Sequence, residues 1–599
     1  MSAPVVLVVF GFIGSYAPFM PDFELTSEIV LVGLLPPLLY AAAIRTSLID
    51  FRQNKRPIML LSIGLVITTA LDVGLLIHWL LDVPLTAGIA LGAVVAPPDA
   101  VAATSIARRV GMPRRIVTIL EGESLVNDAT ALVVLRTAIV GISGSVSLWQ
   151  IGADFAISAV GGIAIGVLVA VVVGRLRRQI QDDQTDVAVS LLTPWVAYLP
   201  AEEISIAGTH ASGVLAVVVA GLMLGHRSPA IQSASSRIFE RTNWATISFL
   251  LENAVFLLIG LQVRGIVADL SQSELSYPTI VVACLATFAA VVMLRFAWVF
   301  PATYLPRLIP AIGRADPAPS WRGVVVVSWA GMRGVVTLAA VFLLPPQTTH
   351  REVFVAIAFF VTAASLLLQG LTLPLLVRAL GLQGPDENEG NLQEATVCQR
   401  AARAGLESLD ESLNGDEPQE VVDRLRTRSL DRANAVWERL GGEAETPSAQ
   451  YARLRAAMLR REREEVLQIR SSGAIDQTVL RQVLDSLDIE ETILARVTQS
   501  STADRKTELS GHQSSMCDHT QGHRLVPVPQ TPEGCEECLR EGLQWVHLRL
   551  CMDCGHVGCC SSSPGEHAES HWQRTQHPVM RSFEPGEAWR WCFADEVTG

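Results

Sequence analysis

What most constrains this chain is a succession of apolar stretches, each long enough to cross a bilayer, from its first residues to about Leu380. A hydrocarbon core of roughly 30 Å takes about 20 helical residues to cross. Inside lipid every backbone polar group must be satisfied by the chain itself, which favours helices. About twelve spans are expected, centred near residues 12, 37, 68, 95, 128, 162, 194, 217, 255, 290, 333 and 366. The opening MSAPVVLVVFGFIGSYAPF has no basic segment before its apolar run and no clear cleavage site. It therefore reads as a first span and not as a signal peptide.

The loops predict the orientation. Alternate loops carry Arg45, Arg52, Lys55 and Arg56, then Arg108, Arg109, Arg114 and Arg115, then Arg175, Arg177 and Arg178. Arg227, Arg237 and Arg241, and finally Arg307, Arg314 and Arg322, complete a set of 17 basic residues, against Arg264 and Arg351 on the other side. Basic loops stay in the cytoplasm. The N-terminus is thus expected outside the cell membrane, with the long C-terminal tail inside.

Charges stand where lipid should forbid them. A charge at the bilayer centre costs at least about 2.5–3.5 kcal/mol, so such residues usually mark ion or proton paths. LGAVVAPPDAVAATSIA and ILEGESLVNDATALVVL place Asp99, Glu121, Glu123, Asn127 and Asp128 at membrane depth. Pro97 and Pro98 must break the helix just before Asp99. An unwound segment with free carbonyls is how transporters build a cation site. On the next span, residues four apart share a face, giving a stripe of Glu123, Ser124, Asn127 and Asp128. Its oxygen-rich side chains suit hard monovalent cations. VVVVSWAGMRGVVTLAAVF buries Arg333, and the expected partner for its guanidinium is Glu123, as a structural ion pair that leaves Asp128 free to titrate. Asp72, His78, Arg136, Glu202, Glu203, Glu252 and Arg295 are further, lower-ranked candidates, most of them near span ends, where snorkelling accounts for them.

Together these residues resemble a known family. PPDAVAA, LEGESLVNDATALV, GVLAVVVAGL and WAGMRGVVTLA follow one another as in monovalent cation:proton antiporters of the sodium/proton-exchanger type, over roughly residues 1–382. The resemblance implies an all-α polytopic membrane protein: an inverted-repeat, homodimeric antiporter whose broken helices cross at the ion site. A dimerisation domain and a mobile core domain would give alternating access by an elevator-like movement. It makes Asp128 the ion- and proton-binding carboxylate, with Asn127 beside it, Ser124 contributing, and Asp99 and Pro98 on the crossing helix. It also makes Glu123 and Arg333 the family's structural pair. The Asn127–Asp128 form resembles the branch that exchanges one cation for one proton electroneutrally. Two positions depart from the family: Pro98 stands where a threonine is common, and Ala41 where an acidic residue is common. Both bear on ion choice more than on exchange itself.

From about Leu382 the composition changes. Residues 1–384 hold 23 basic and 22 acidic residues, and the remainder 23 and 37. An acidic tail argues against a nucleic-acid partner. LQGPDENEGN is a linker, and sequences such as YARLRAAMLRREREEVLQIR have helical spacing, predicting a cytoplasmic helical module over 383–510. Residues 511–599 then carry Cys517-x-His519, Cys535-x2-Cys538, Cys551-x2-Cys554, Cys559, His567, His571, His577 and Cys592. Such pairs in a cytoplasmic segment signal structural zinc. The order resembles the ubiquitin-specific-protease-type (UBP-type) zinc finger, a small α+β unit. That likeness assigns one zinc to Cys535, Cys538, Cys559 and His567, and another to Cys551, Cys554, His571 and His577. A third would use Cys517, His519, Cys592 and Asp595. The arginine that ubiquitin-tail readers carry after the middle Cys-Gly is missing at Cys559–Ser561, and Arg549 replaces a pocket tryptophan while Trp591 remains. Ubiquitin is thus not the expected partner; another protein's free C-terminus is a candidate.

The sequence therefore predicts exchange of Na+ (with Li+ or K+ as alternates) for H+, and no enzyme activity, since the spans show no nucleophile–base set. The competing reading is a transport-inactive membrane scaffold that presents the finger to a protein partner.

Overall fold

The computed structural model describes the chain except residues 1–2, 18–27, 100–102, 105, 108–109, 144–147, 207–208, 311, 313–315, 317, 383–386, 414–416, 439–445, 473–474, 476, 509–518, 520–525, 544, 546, 561–562, 564, 584–589, 596 and 599. It divides into two units, Met1–Pro385 and Asp386–Gly599.

The first unit is a helical bundle: α1 (Ala3–Ser15), α2 (Leu35–Arg45), α3 (Val66–Leu81), α4 (Leu85–Val95), α5 (Arg114–Ser143), α6 (Leu148–Arg177) and α7 (Asp183–Glu203). A two-strand ribbon, β1 (Ser205–Ile206) and β2 (Thr209–His210), leads to α8 (Gly213–Ile231) and α9 (Ala234–Leu261). Then come α10 (Tyr277–Tyr304), α11 (Trp321–Trp329), α12 (Val335–Val341), α13 (Arg351–Ala364) and α14 (Gly370–Ala379). Seven helical stretches among the described residues are long and apolar enough to cross a membrane, and three further apolar helices are shorter. The roughly twelve spans expected include interrupted and short helices, which is why fewer stretches qualify as long and continuous. The chain leaves the helix at residues 96–99 after α4, and an unwound segment separates α11 from α12.

Two sets of contacts organise the bundle. In one, α8 packs against α2, α6 and α7, and α9 against α1. In the other, α3 packs on α4, α4 on α5, and α10 on α3, α11 and α13. The α3–α4 seam is unusually close, because a Cβ on Gly88 or Gly92 would collide with the carbonyl oxygens of Gly74 and Ala70. Small residues let membrane helices meet backbone to backbone, where apolar burial from lipid offers little.

In the second unit, α15 (Glu387–Ser412) pairs with α16 (Gln419–Trp437), and α17 (Pro447–Ser472) with α18 (Gln477–Glu508). Ala452, Leu459 and Val466 recur every seven residues on α17, as do Leu480, Leu487 and Leu494 on α18. Ala452, Leu459, Leu487 and Leu494 form a buried seam with Val466 against it, the pattern of a short antiparallel coiled coil. Arg455 grips Glu490 with two bonds (2.7 and 2.8 Å) and reaches Glu462. The chain ends in a five-stranded antiparallel sheet of order β4-β3-β5-β6-β7. Its strands are β3 (Leu548–Cys551), β4 (Val557–Cys559), β5 (Val579–Ser582), β6 (Arg590–Cys592) and β7 (Val597–Thr598). The short helix α19 (Glu536–Glu541) precedes the sheet, and α20 (His567–Thr575) packs on β4 and β3.

Candidate ion site and zinc centre

Where the two interrupted helices meet, their backbones hold each other. The Asp99 amide donates to the Met332 carbonyl at 2.6 Å. The Arg333 guanidinium donates to the carbonyls of Val95 (3.0 Å), Ala96 (3.2 Å) and Gly331. These are the carbonyls that the end of α4 and the break after α11 leave without helical partners. Ser365 accepts from the Arg333 amide. Gly334 is glycine because a Cβ there would overlap the Asp99 carboxylate.

α5 supplies the rest of the site. Asn127 and Asp128 are buried on the face toward this break, and the Asn127 amide donates to the Pro98 carbonyl at 2.7 Å. The Asn127 carbonyl oxygen is buried without a hydrogen-bond partner among the described residues. No salt bridge among the described residues involves Asp128. A buried carboxylate with no fixed counter-charge must take up a cation or a proton. An orphaned amide oxygen beside it is a ready second ligand.

The expected Glu123–Arg333 pair is corrected. Glu123 is gripped by Arg295 of α10 through two parallel bonds, the second at 2.8 Å, with both side chains buried. Arg295 also donates to the Val327 carbonyl at 3.1 and 3.2 Å. Arg333 faces backbone instead, because the two helix breaks expose more carbonyls than one carboxylate could replace. Arg295 ranks low as a candidate from sequence, yet nine residues of α10 follow it and most are apolar. That flanking pattern, the same that marked Arg333, was the signal for a buried charge.

Some of the lower-ranked residues find partners within the bundle. Arg136 pairs with Glu202 at 2.7 Å, and the His78 ring meets the Val83 carbonyl at 2.6 Å. One buried group was not anticipated. Arg177, read as a loop residue, is bidentate on Asp186 (2.7 and 2.9 Å) and lies 3.0 Å from Glu240. Gln232 donates to both carboxylates at 2.9 Å, so the cluster ties α6, α7 and α9 together.

The zinc ligands gather as two closed sets. Cys535, Cys538, Cys559 and His567 form one, and Cys551, Cys554, His571 and His577 the other, with all ligand atoms of a set within 4.8 Å of one another. His567 Nδ1 lies 3.3 Å from each of its three sulfurs. In the other set, the Cys554–His571 and Cys551–His577 separations are 3.4 and 3.6 Å. A tetrahedral zinc with bonds of about 2.3 Å to sulfur and 2.0–2.1 Å to nitrogen requires roughly 3.5 Å along such an edge, so these residues fit the metal. His519, Cys592 and Asp595 form a third, more exposed group, and Cys517 lies outside the described residues.

Neighbours orient the ligands. His556 bonds the Glu537 carboxylate at 2.9 Å and stacks on His571 with ring centres 4.2 Å apart. Burial, helped by the charge of His556, pushes His571 down to about 4, which keeps its ring neutral and able to ligate at neutral pH. Arg549 is buried in β3, between Ser582 of β5 and Gly558 of β4, and its side chain donates to the Leu548 carbonyl.

A polytopic helical body with two interrupted helices crossing beside a buried carboxylate defines a secondary ion transporter. The chain belongs to the sodium/hydrogen exchanger family: the family model for the "Sodium/hydrogen exchanger, transmembrane" matches residues 1–379. A second, the "Zn-finger in ubiquitin-hydrolases and other protein", matches residues 535–598. An uncharacterized Na(+)/H(+) exchanger of Mycobacterium tuberculosis is 32% identical over 506 residues, covering 82% of this chain and 91% of that one. The sodium, potassium, lithium and rubidium/H(+) antiporter of Bacillus subtilis is 31% identical over 389 residues, covering 62% of this chain and 57% of its own. In fold the chain is similar to the sodium proton antiporter MjNhaP1 of Methanocaldococcus jannaschii, with a TM-score of 0.50 and 19% identity, over 63% of this chain and 92% of that one. Zinc binding by the finger follows from the family match and the two ligand sets together.

Proposed function

We propose that the protein exchanges Na+ for H+ across the cell membrane, electroneutrally, with Asp128 taking cation and proton in turn. The observation that carries this reading is the buried Asp128 carboxylate, without an ion pair among the described residues, beside the orphaned Asn127 oxygen and the unwound chain at Pro98. Ser124 and Asp99 complete the oxygen set. If the site crosses readily when loaded and reluctantly when empty, one gradient drives the other. Li+ and K+ are the alternate cargoes, and the breadth named for the Bacillus subtilis relative makes K+ the first to compare.

In the same reading the protein is a homodimer with its N-terminus outside and residues 383–510 and 511–599 in the cytoplasm. The finger holds two structural zinc ions, or three if Cys517, His519, Cys592 and Asp595 close the last site, and takes a free protein C-terminus. The test is proton flux in inverted membrane vesicles. Respiration acidifies the lumen, then Na+, K+ or Li+ is added. Alkalinisation that is absent in Asp128→Asn supports exchange and identifies the ion. Silence with every cation, in folded protein across a range of pH, would leave the transport-inactive scaffold as the better account.

A further inference from the structure

Away from the ion site, a cavity of about 200 Å³ lies among the ends of the transmembrane helices on the face with the arginine-rich loops. Leu61, Ile116, Val299 and Val327 wall its apolar depth, and Arg56, Arg115 and Arg307 stand around it with one carboxylate, Asp316. Arg115 and Arg307 both already bind Asp316. Arg115 also donates to Asn54, and Arg307 to the Asp316 and Thr303 carbonyls. Arg56 has no such partner among the described residues: its Nη2 atom is buried and makes no hydrogen bond there. Three guanidiniums against one carboxylate leave the site positive, and a buried guanidinium nitrogen without an acceptor asks for an anion.

The placement says which anion. Helix ends bearing basic loops lie at headgroup depth, and basic pockets between transmembrane helices there suit anionic headgroups. A free phosphate would satisfy Arg56 but would leave the apolar walls bare. We infer that this cavity holds one anionic phospholipid, its phosphate on Arg56 and the upper part of an acyl chain between the apolar walls. The cavity is too small for a whole lipid, so the remaining chain lies in the bilayer. The inference depends neither on which cation is carried nor on how the finger is used.

The test is thermal unfolding of the full-length protein in detergent with added phosphatidylglycerol, phosphatidylcholine or inorganic phosphate. Phosphatidylglycerol should raise the melting temperature, and the other two should not. Arg56→Gln should lose at least half of that rise. Ala302→Phe, which keeps every charge and fills the cavity from its α10 wall, should lose it as well. If Arg56→Gln does not fold, Ala302→Phe decides alone. An equal rise in wild type and both variants, or no rise in wild type, overturns the inference. A rise with phosphate alone also overturns it and makes the ligand a free anion.

Discussion

The membrane body and the finger each gather ligands for a cation, and they do so in opposite ways. At the proposed ion site the donors would be hard oxygens: the Asp128 carboxylate, the Asn127 amide oxygen and unwound backbone near Pro98. The donors come from separate segments, and one of them is an interruption in a helix. In the finger the donors are thiolates and imidazoles, four to a set, packed closely enough to enclose one ion. Soft, complete sets retain zinc, whereas oxygen sets with an exchangeable carboxylate let go. Holding and releasing are thus written in ligand type and in whether the backbone around it is continuous.

The comparison breaks most readily at Asp128. Asp128→Asn should abolish cation-driven proton movement while expression and membrane insertion stay normal, and retained exchange would remove Asp128 from the site. Next in size, Cys559→Ser opens a closed set. It should cost one zinc per chain by metal analysis and unfold the finger locally, as seen by protease cleavage beyond about residue 510. Exchange in vesicles should persist, and its loss would mean that the finger is coupled to transport.

Two buried arginines sharpen the picture at intermediate size. Arg295→Ala strips Glu123 of its counter-charge and should destabilise the body by about 3–5 kcal/mol. Arg333→Ala leaves carbonyls short of donors and should cost less, about 1–3 kcal/mol. Thermal unfolding in detergent ranks the two, and the reverse order would make Arg333 the more costly loss. The smallest effect belongs to the coiled coil. Hydrogen bonds from Arg455 hold the Glu490 carboxyl below its ordinary value. Its contribution is therefore complete above the ordinary carboxylate range and is lost as pH falls through the lowered value. Glu490→Gln should flatten the acid limb of tail stability, which circular dichroism of the full chain against pH would show.

Legibility in the sequence followed the kind of chemistry. Zinc demands fixed residue types at short spacing, so a metal site was legible from the chain, while the division into two closed sets came from the likeness to the UBP-type finger. The paired prolines before Asp99 announced one break, since proline removes a donor and clashes with the preceding turn. The partner of Glu123 was not legible in this way. Arg295 lies 172 residues from Glu123, and nothing local distinguishes it from Arg333 as a guanidinium donor. Only the packing of α10 against its neighbours chooses between them. The Arg177 cluster was missed for the same reason, as its members come from three helices and each resembles an ordinary loop charge.

The ties between the broken helices carry a last consequence. Asp99 is bonded to Met332, and Arg333 to Val95 and Ala96, so neither interruption can loosen without the other. In the proposed exchange, these ties would make the cargo seat one clamped unit, presenting the same ligands whichever side it is reached from. Net traffic would then follow the concentrations of the two ions alone, with no preferred direction built into the protein.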